Sequence, residues 1–298
     1  MDQHWSLARR AFAAIFAPPA VFLAVFFLVP LSVVWLYSFG QNISLTEIAV
    51  TGSLANYGRA LQPLYLGILL KSTWIAAIVT LLCLVAGFPV ALAIAFASPR
   101  LKIWLLLLVM LPFWTNLLIR TYALIAVLRD EGYVNQALKL GWSLLAAVGL
   151  KTSESFQPVE LIYNNAAVVF GLVYVQLPFM VLPLYAALDR MDRSLLEASL
   201  DLGAGHLRTL WNVVLPLAMP GVISGVIITF IPSIGAFLTP DLLGGPDSQM
   251  ISNVIERQFK RANDWPFGSA LSFVLMYLTF AGIAVQALAR RRHPGGRG

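Results

Sequence analysis

Six stretches of the chain hold about 20 mostly apolar residues each, the length that crosses about 30 Å of hydrocarbon. They lie at about 17–38, 72–97, 103–128, 163–188, 219–240 and 269–289. Runs of this length predict helices, because a helix satisfies its own backbone hydrogen bonds where no water can do so. The second and the last are the cleanest. The third is interrupted by Pro112, Asn116 and Arg120, and the fifth by Pro232 and Pro240. Breakers within a span are tolerated where neighbouring helices or a wet cavity satisfy the freed backbone groups. These two spans either line a pathway or carry ordinary proline kinks. The pattern predicts an all-α, polytopic membrane protein of about six transmembrane helices, forming one transmembrane domain over residues 1–298.

Composition agrees with lipid as the main solvent. Of the 298 residues 59% are hydrophobic and only 11% charged, with a mean hydropathy of +0.80, whereas soluble domains carry about 25% charged residues. The net charge of +6 is scattered between apolar runs instead of gathered with aromatics, so it orients the chain in a bilayer and does not point to nucleic acid. Arg9, Arg10, Arg100, Lys102, Arg190, Arg193, Arg208 and Arg290 to Arg292 fall on one side of a six-span arrangement. The opposite loops, about 38–71, 129–162 and 241–268, are longer and hold fewer basic residues near their ends. Both termini are therefore expected on the cytoplasmic side. The Arg9-Arg10 pair superficially resembles a twin-arginine signal, but the apolar run behind it is long enough to span and no small-x-small cleavage site follows. Residues 133–149 pattern as an extracytoplasmic helix lying on the interface, and Tyr65, Tyr133, Trp142 and Trp265 in the outer loops suit that depth. The single cysteine, Cys83, reads as a small buried residue. His4, His206 and His293 stand too far apart to form a metal cage.

The connection from Asp189 to Pro220 is the most informative segment. It patterns as two short amphipathic helices. Asp192 caps the first, which runs to about Leu202 with Leu195, Leu196 and Leu200 on one face. Gly203 and Gly205 break it. The second starts near His206 and is expected to end at Pro216. A paired-helix element beneath a membrane domain suits docking onto a soluble partner.

This segment resembles the EAA loop of ABC importer permeases, which reads E-A-A, three residues, G, nine residues, then I-x-L-P. Here Glu197-Ala198-Ser199 is followed at that spacing by Gly203 and then by Val213-Val214-Leu215-Pro216. Ser and Val replace a small residue and Ile. The resemblance implies the type I ABC importer (MetI-like) permease fold, with residues 189–220 as the coupling loop that enters a groove on a cytoplasmic ATPase. It assigns coupling to Glu197, Ala198, Ser199, Gly203, Leu215 and Pro216, with Glu197 making polar contacts and Gly203 allowing a sharp turn. It also implies two copies of the ATPase, a second related permease and a periplasmic substrate-binding protein.

Residues 111–125 (LPFWTNLLIRTYALI), 230–245 (FIPSIGAFLTPDLLGG) and Ile251 to Gly268 resemble, more narrowly, spermidine/putrescine importer permeases of the first-permease type. That likeness implies passage of a small organic cation, above all a polyamine. Some relatives carry an acid where this chain has Ala236. None of the 14 acidic residues falls deep in a span; Asp241, at the outer end of the fifth, is nearest. Aromatic faces attract ammonium groups, which makes Phe88, Phe113, Trp114, Tyr122, Tyr174, Phe179 and Phe237 pathway candidates beside Asp241. Arg120 is the one basic residue well inside a span. A cation there is costly unless paired, and it would repel a polyamine, so a structural role with carbonyls or an acid of another segment or subunit is expected. Gly221 and Gly225 form a GxxxG suited to close helix packing, within or between subunits.

The chain has no G-x-x-x-x-G-K-[ST] phosphate loop and no nucleophile, base and acid set, so it is expected to be no enzyme, with no cofactor of its own and ATP held by the partner. Alternatives are an ABC permease for another solute (an amino-acid-like amine, an opine, iron or an anion) and a stand-alone secondary transporter. The latter predicts intramembrane acids and an internal repeat. Neither is visible. A membrane-bound enzyme or assembly factor would need a His or acidic cluster facing one compartment, which is likewise absent from the sequence.

Overall fold

The computed structural model describes residues 2–44, 47–147 and 156–291, with side chains between 12 and 284 among them. Helix α1 covers residues 2–38, with one π turn at Ala24–Leu28, and a small antiparallel hairpin follows, β1 (Gly40–Asn42) with β2 (Ile48–Val50). Then come α2 (Ala55–Ala60), α3 (Pro63–Phe96), α4 (Pro99–Trp114), α5 (Leu117–Leu128) and α6 (Tyr133–Ala147). The second half holds α7 (Asn165–Asp189), α8 (Ser194–Asp201), α9 (His206–Ile234), α10 (Leu238–Leu243), α11 (Ile251–Lys260) and α12 (Trp265–Arg291). By their contacts the residues fall into two units, 1–66 with 254–298, and 67–253.

In the first unit, Trp35 Nε1 donates to the Tyr277 hydroxyl (3.3 Å), tying α1 to α12. Ser38 and Tyr57 share a hydroxyl hydrogen bond of 2.8 Å, and buried Asn56 donates to the Gly40 carbonyl (2.8 Å). Arg59 lies 4.0 Å over the Phe267 ring and pairs with Asp264 at 3.0 Å. Asp264 Oδ1 also accepts from the Phe267 N–H at the start of α12. No residue in the most apolar stretch of α1 is buried by this chain, so much of its side-chain surface is left for lipid or other chains.

The second unit is built on α3, α7 and α9. Val79, Cys83, Ala91 and Ile94 of α3 pack with Val168, Leu172, Met180, Val181 and Leu184 of α7 and with Ala218 of α9. Close approach of α7 and α9 depends on the two glycines singled out above. A Cβ on Gly221 would sit 2.6 Å from Ala187 Cβ and 2.7 Å from the Pro183 carbonyl oxygen, and one on Gly225 would sit 2.7 Å from Met180 Sδ. The GxxxG therefore packs helices within the chain. Asn164 starts α7, its side chain accepting from the Ala167 N–H at 2.8 Å. Asn135 of α6 is buried and exchanges hydrogen bonds with the Val159 backbone at 3.0 and 2.9 Å. Tyr133, Leu138, Leu140 and Leu144 of α6 remain exposed. Of the helix expected over 133–149, residues 148 and 149 lie outside the described residues, as do Arg292 and His293.

Three expectations need correction. The third span is not one helix over 103–128. The chain passes through a 3₁₀ turn at Leu111–Trp114, is extended at Thr115 and Asn116, and the stretch Leu117–Ala147 then continues at 94° to Pro99–Trp114. Pro112 cannot continue the hydrogen-bond ladder, while Asn116 caps the new helix by accepting from the Leu118 N–H at 2.8 Å. The fifth span ends at Ile234, not at 240: Gly235 closes it and Pro240 lies inside the separate helix α10. The second loop helix does not end at Pro216. A π turn at Leu210–Val214, in which the Leu215 N–H bonds the Leu210 carbonyl, precedes the proline. The widened turn takes up a ring that would otherwise clash with the carbonyl four residues back.

Candidate functional site

The segment between α7 and α9 is a shaped element. Asp192 Oδ1 accepts from the Ser194 N–H at 3.0 Å, opening α8. These hydrogen bonds, that from the Ser194 backbone foremost, hold the Asp192 carboxyl below its ordinary pKa. At the other end the Gly203 N–H bonds the Leu200 carbonyl (2.9 Å) and the Ala204 N–H bonds the Ser199 carbonyl (3.1 Å). With Gly203 at φ +80°, this is a Schellman closure, which wants glycine because a Cβ disfavours the left-handed region. The turn expected at Gly203 thus has a definite geometry.

Ser199 does more than fill a small position. Its hydroxyl hydrogen-bonds Thr209 Oγ1 at 3.0 Å across the turn, locking α8 onto the first turn of α9. Sequence reasoning missed Thr209, whose burial on the facing helix only the structure shows. Arg193 donates to the Ala95 carbonyl at 3.4 Å and lies 5.6 Å from the Phe96 ring centroid. Lys102 at the start of α4 pairs with Asp189. The element is therefore anchored to the adjoining ends of α3 and α4, through residues that had been read only for their charge.

Of the three leucines expected on one face of α8, Leu196 alone packs on the core. Leu195 and Leu200 point outward, because α8 is too short to bury a whole face against the unit. Glu197 and Ala198 are exposed, Ser199 and Leu215 half-buried, and Pro216 exposed. Leu202 and Leu207 are 88% and 73% exposed and Trp211 64%. The element is thus ordered by its own hydrogen bonds while an acid and several large apolar side chains stay uncovered by the described residues.

The pathway candidates divide. Phe88 packs against the core. Phe113 and Phe179 meet edge to face at 5.3 Å, joining the end of α4 to α7. Trp114, Tyr122, Tyr174 and Phe237 are exposed, as is Asp241. A Cβ on Gly171 of α7 would touch Leu243 and Thr239 of α10 and come within 3.8 Å of Leu124 of α5, so the elements carrying these rings pack on one another. Ala236 packs against the core. Arg120 is 9% exposed, on the face of α5 that also buries Thr121 and Leu128. Its Nε and Nη1 have no hydrogen-bond partner among the described residues.

Comparison with known proteins bears on this architecture. Residues 87–294 match the family model of the binding-protein-dependent transport system inner membrane component. The chain is 43% identical over 223 residues to the spermidine/putrescine transport system permease protein PotB of Escherichia coli, covering 75% of this chain and 77% of that one. It is 38% identical over 256 residues to PotB of Haemophilus influenzae, covering 86% of each. Its fold resembles a chain of the crystal structure of a bacterial ABC transporter involved in the import of the acidic polysaccharide alginate, with TM-score 0.68, 15% identity and coverage of 99% and 100%. The matched span includes α7, the glycine-closed element and α9, the parts in which the geometry is most distinctive. The chain belongs to the family of binding-protein-dependent transport system inner membrane components.

Proposed function

We propose that this chain is the permease subunit of a binding-protein-dependent ABC importer that carries a small organic cation, a polyamine such as spermidine or putrescine, across the inner membrane. ATP is hydrolysed by a separate subunit. The single observation that carries the importer reading is the element from Asp192 to Pro216: a capped helix, a Schellman turn at Gly203 and a continuous helix beyond, with Glu197, Leu202 and Leu207 turned outward. Such a surface suits a groove on one of two cytoplasmic ATPase copies, the second permease engaging the other. The polyamine reading is supported by the relatives' names at 43% and 38% identity. Exposed Trp114, Tyr122, Tyr174 and Phe237 offer ring faces to ammonium groups at about 0.5–2 kcal/mol each, enough for passage without trapping. A second permease completes the membrane part, a periplasmic binding protein delivers the cargo, and both termini face the cytoplasm.

The test is uptake of labelled spermidine into proteoliposomes holding the chain with its second permease, ATPase and binding protein. Uptake is expected only with ATP, and Gly203→Val is expected to reduce it strongly. Uptake persisting without the ATPase sinks the importer reading. Failure of putrescine and spermidine to bind the cognate binding protein, where an amino-acid-like amine binds, removes the polyamine cargo and leaves the importer.

A further inference from the structure

A trough of about 720 Å³ runs along the second unit between α3 and α7, walled by Ile75, Ile78, Leu82 and Val85 on one side and Val169 and Phe170 on the other. The residues lining it include a single charged one, Lys71, with Asn165 beside it at the same end. The two helices run parallel: Cys83 Sγ donates to the Val173 carbonyl at 3.7 Å, and a Cβ on Gly87 would meet Met180 and Val181. Counting back from the Cys83–Val173 contact at 1.5 Å per residue, Lys71 lies about 18 Å away along α3 and Asn165 about 12 Å away along α7. The Lys71 backbone thus sits about one turn beyond the first residue of α7, near the end of the apolar segment, where a spanning helix approaches the headgroups.

We infer that this trough holds a phospholipid, one acyl chain lying between α3 and α7 and the phosphate on the Lys71 ammonium. Lys71 donates one hydrogen bond to the Asp247 carbonyl, and an ammonium has three donors, so two remain for an anion. Trp74, 68% exposed beside it, is the residue type that favours headgroup depth. From Lys71 to Val85 the trough is about 21 Å long, so its volume gives a cross-section of about 34 Å², a narrow apolar furrow of the kind a hydrocarbon chain fills.

Native mass spectrometry of the whole transporter complex, released in mild detergent and titrated with dioleoylphosphatidylglycerol or dioleoylglycerol, tests this. The wild type is expected to retain phosphatidylglycerol in preference to the phosphate-free lipid. Lys71→Gln is expected to weaken retention about fivefold, the ~1 kcal/mol one basic residue supplies at an anionic lipid surface, and Lys71→Arg to restore it. Val169→Trp, which fills the trough, is expected to abolish retention while the complex still assembles with its ATPase. Equal retention of the two lipids, or of phosphatidylglycerol by wild type and Lys71→Gln, overturns the inference. So does disulfide or maleimide cross-linking of a cysteine placed at Val85 to a second permease chain.

Discussion

Replacing Gly221 by alanine should cost stability even though alanine is the better helix former. In an open helix position, Gly→Ala gains roughly 0.5–1 kcal/mol by restricting the unfolded chain. At Gly221 the added methyl would lie 2.6 Å from Ala187 Cβ, 2.7 Å from the Pro183 carbonyl oxygen and 3.3 Å from Leu184 Cα. Two of those atoms belong to backbone, so no side chain can swing aside and α9 must part from α7 by about an ångström. Parting well-packed helices costs about 1–3 kcal/mol, and the separation also loosens the contact at Gly225, one turn along, where Met180 is the neighbour. The net expectation is a loss of about 1–2 kcal/mol, or several degrees in Tm at roughly 2–4 °C per kcal/mol. The matching control is Gly141→Ala on α6, where nothing lies within 4 Å, which should be neutral or slightly stabilising. The single cysteine supplies the assay, since Cys83 is wholly buried and reacts with a fluorogenic maleimide only as the unit opens. Thermal melts of the two variants in the assembled transporter, read this way, should fall for Gly221→Ala and stay level or rise slightly for Gly141→Ala. If Gly221→Ala melts at or above the wild-type temperature, α7 and α9 do not meet at this point and the packing argument fails.

The loop makes two further predictions. Gly203→Ala meets no atom within 4 Å, so its cost is conformational only, about 1–2 kcal/mol for a side chain at positive φ; Gly203→Asn should recover part of it, and equal amide-exchange protection of α8 in wild type and Gly203→Ala would refute the Schellman assignment. Because the Asp192 carboxyl is held below its ordinary pKa by the Ser194 amide, its contribution to α8 is present above the unfolded pKa and lost as pH falls through the folded one; amide exchange at Ser194 should accelerate in that acidic window relative to a buffer-matched Asp192→Asn, and an unchanged difference across it would exclude the cap.

The spans were legible because hydrophobic length is a one-dimensional property. Places where the chain departs from a straight helix were legible only as residues that permit a break. Pro112 and Asn116 marked the third span as interrupted, and the structure turns that interruption into a bend of 94°. Proline by itself does not state the outcome: Pro112 opens a 3₁₀ turn, Pro232 stays inside a helix, and Pro216 is absorbed by a π turn. What decides is whether a neighbouring residue offers the freed groups a partner, as Asn116 does for Leu118. The loop was readable as spaced residue types, yet its stiffness was not, since the Ser199–Thr209 and Arg193–Ala95 contacts join positions 10 and 98 residues apart. Which helix face meets lipid and which meets another chain is also silent in the sequence, because both surroundings favour apolar side chains.

The passage through Pro216 changes how the loop can act. Had the second loop helix ended there, the proposed docking element would be a separate lever, joined to the membrane part by a flexible corner. It is instead the first two turns of α9, a rod of 29 residues that spans about 44 Å at 1.5 Å per residue. The glycines at 221 and 225 clamp that rod to α7 along its middle, while Ser199 and Thr209 fasten α8 to its near end. Its far end stops at Gly235, beside the break that carries Phe237 and leads into α10. In the proposed importer, a displacement imposed on Glu197 or Leu207 by the ATPase would therefore enter a continuous helix held at its glycine contacts. The π turn at Leu210–Val214 and the prolines at 216, 220 and 232 are where that helix could bend in passing the displacement to the end that carries Phe237.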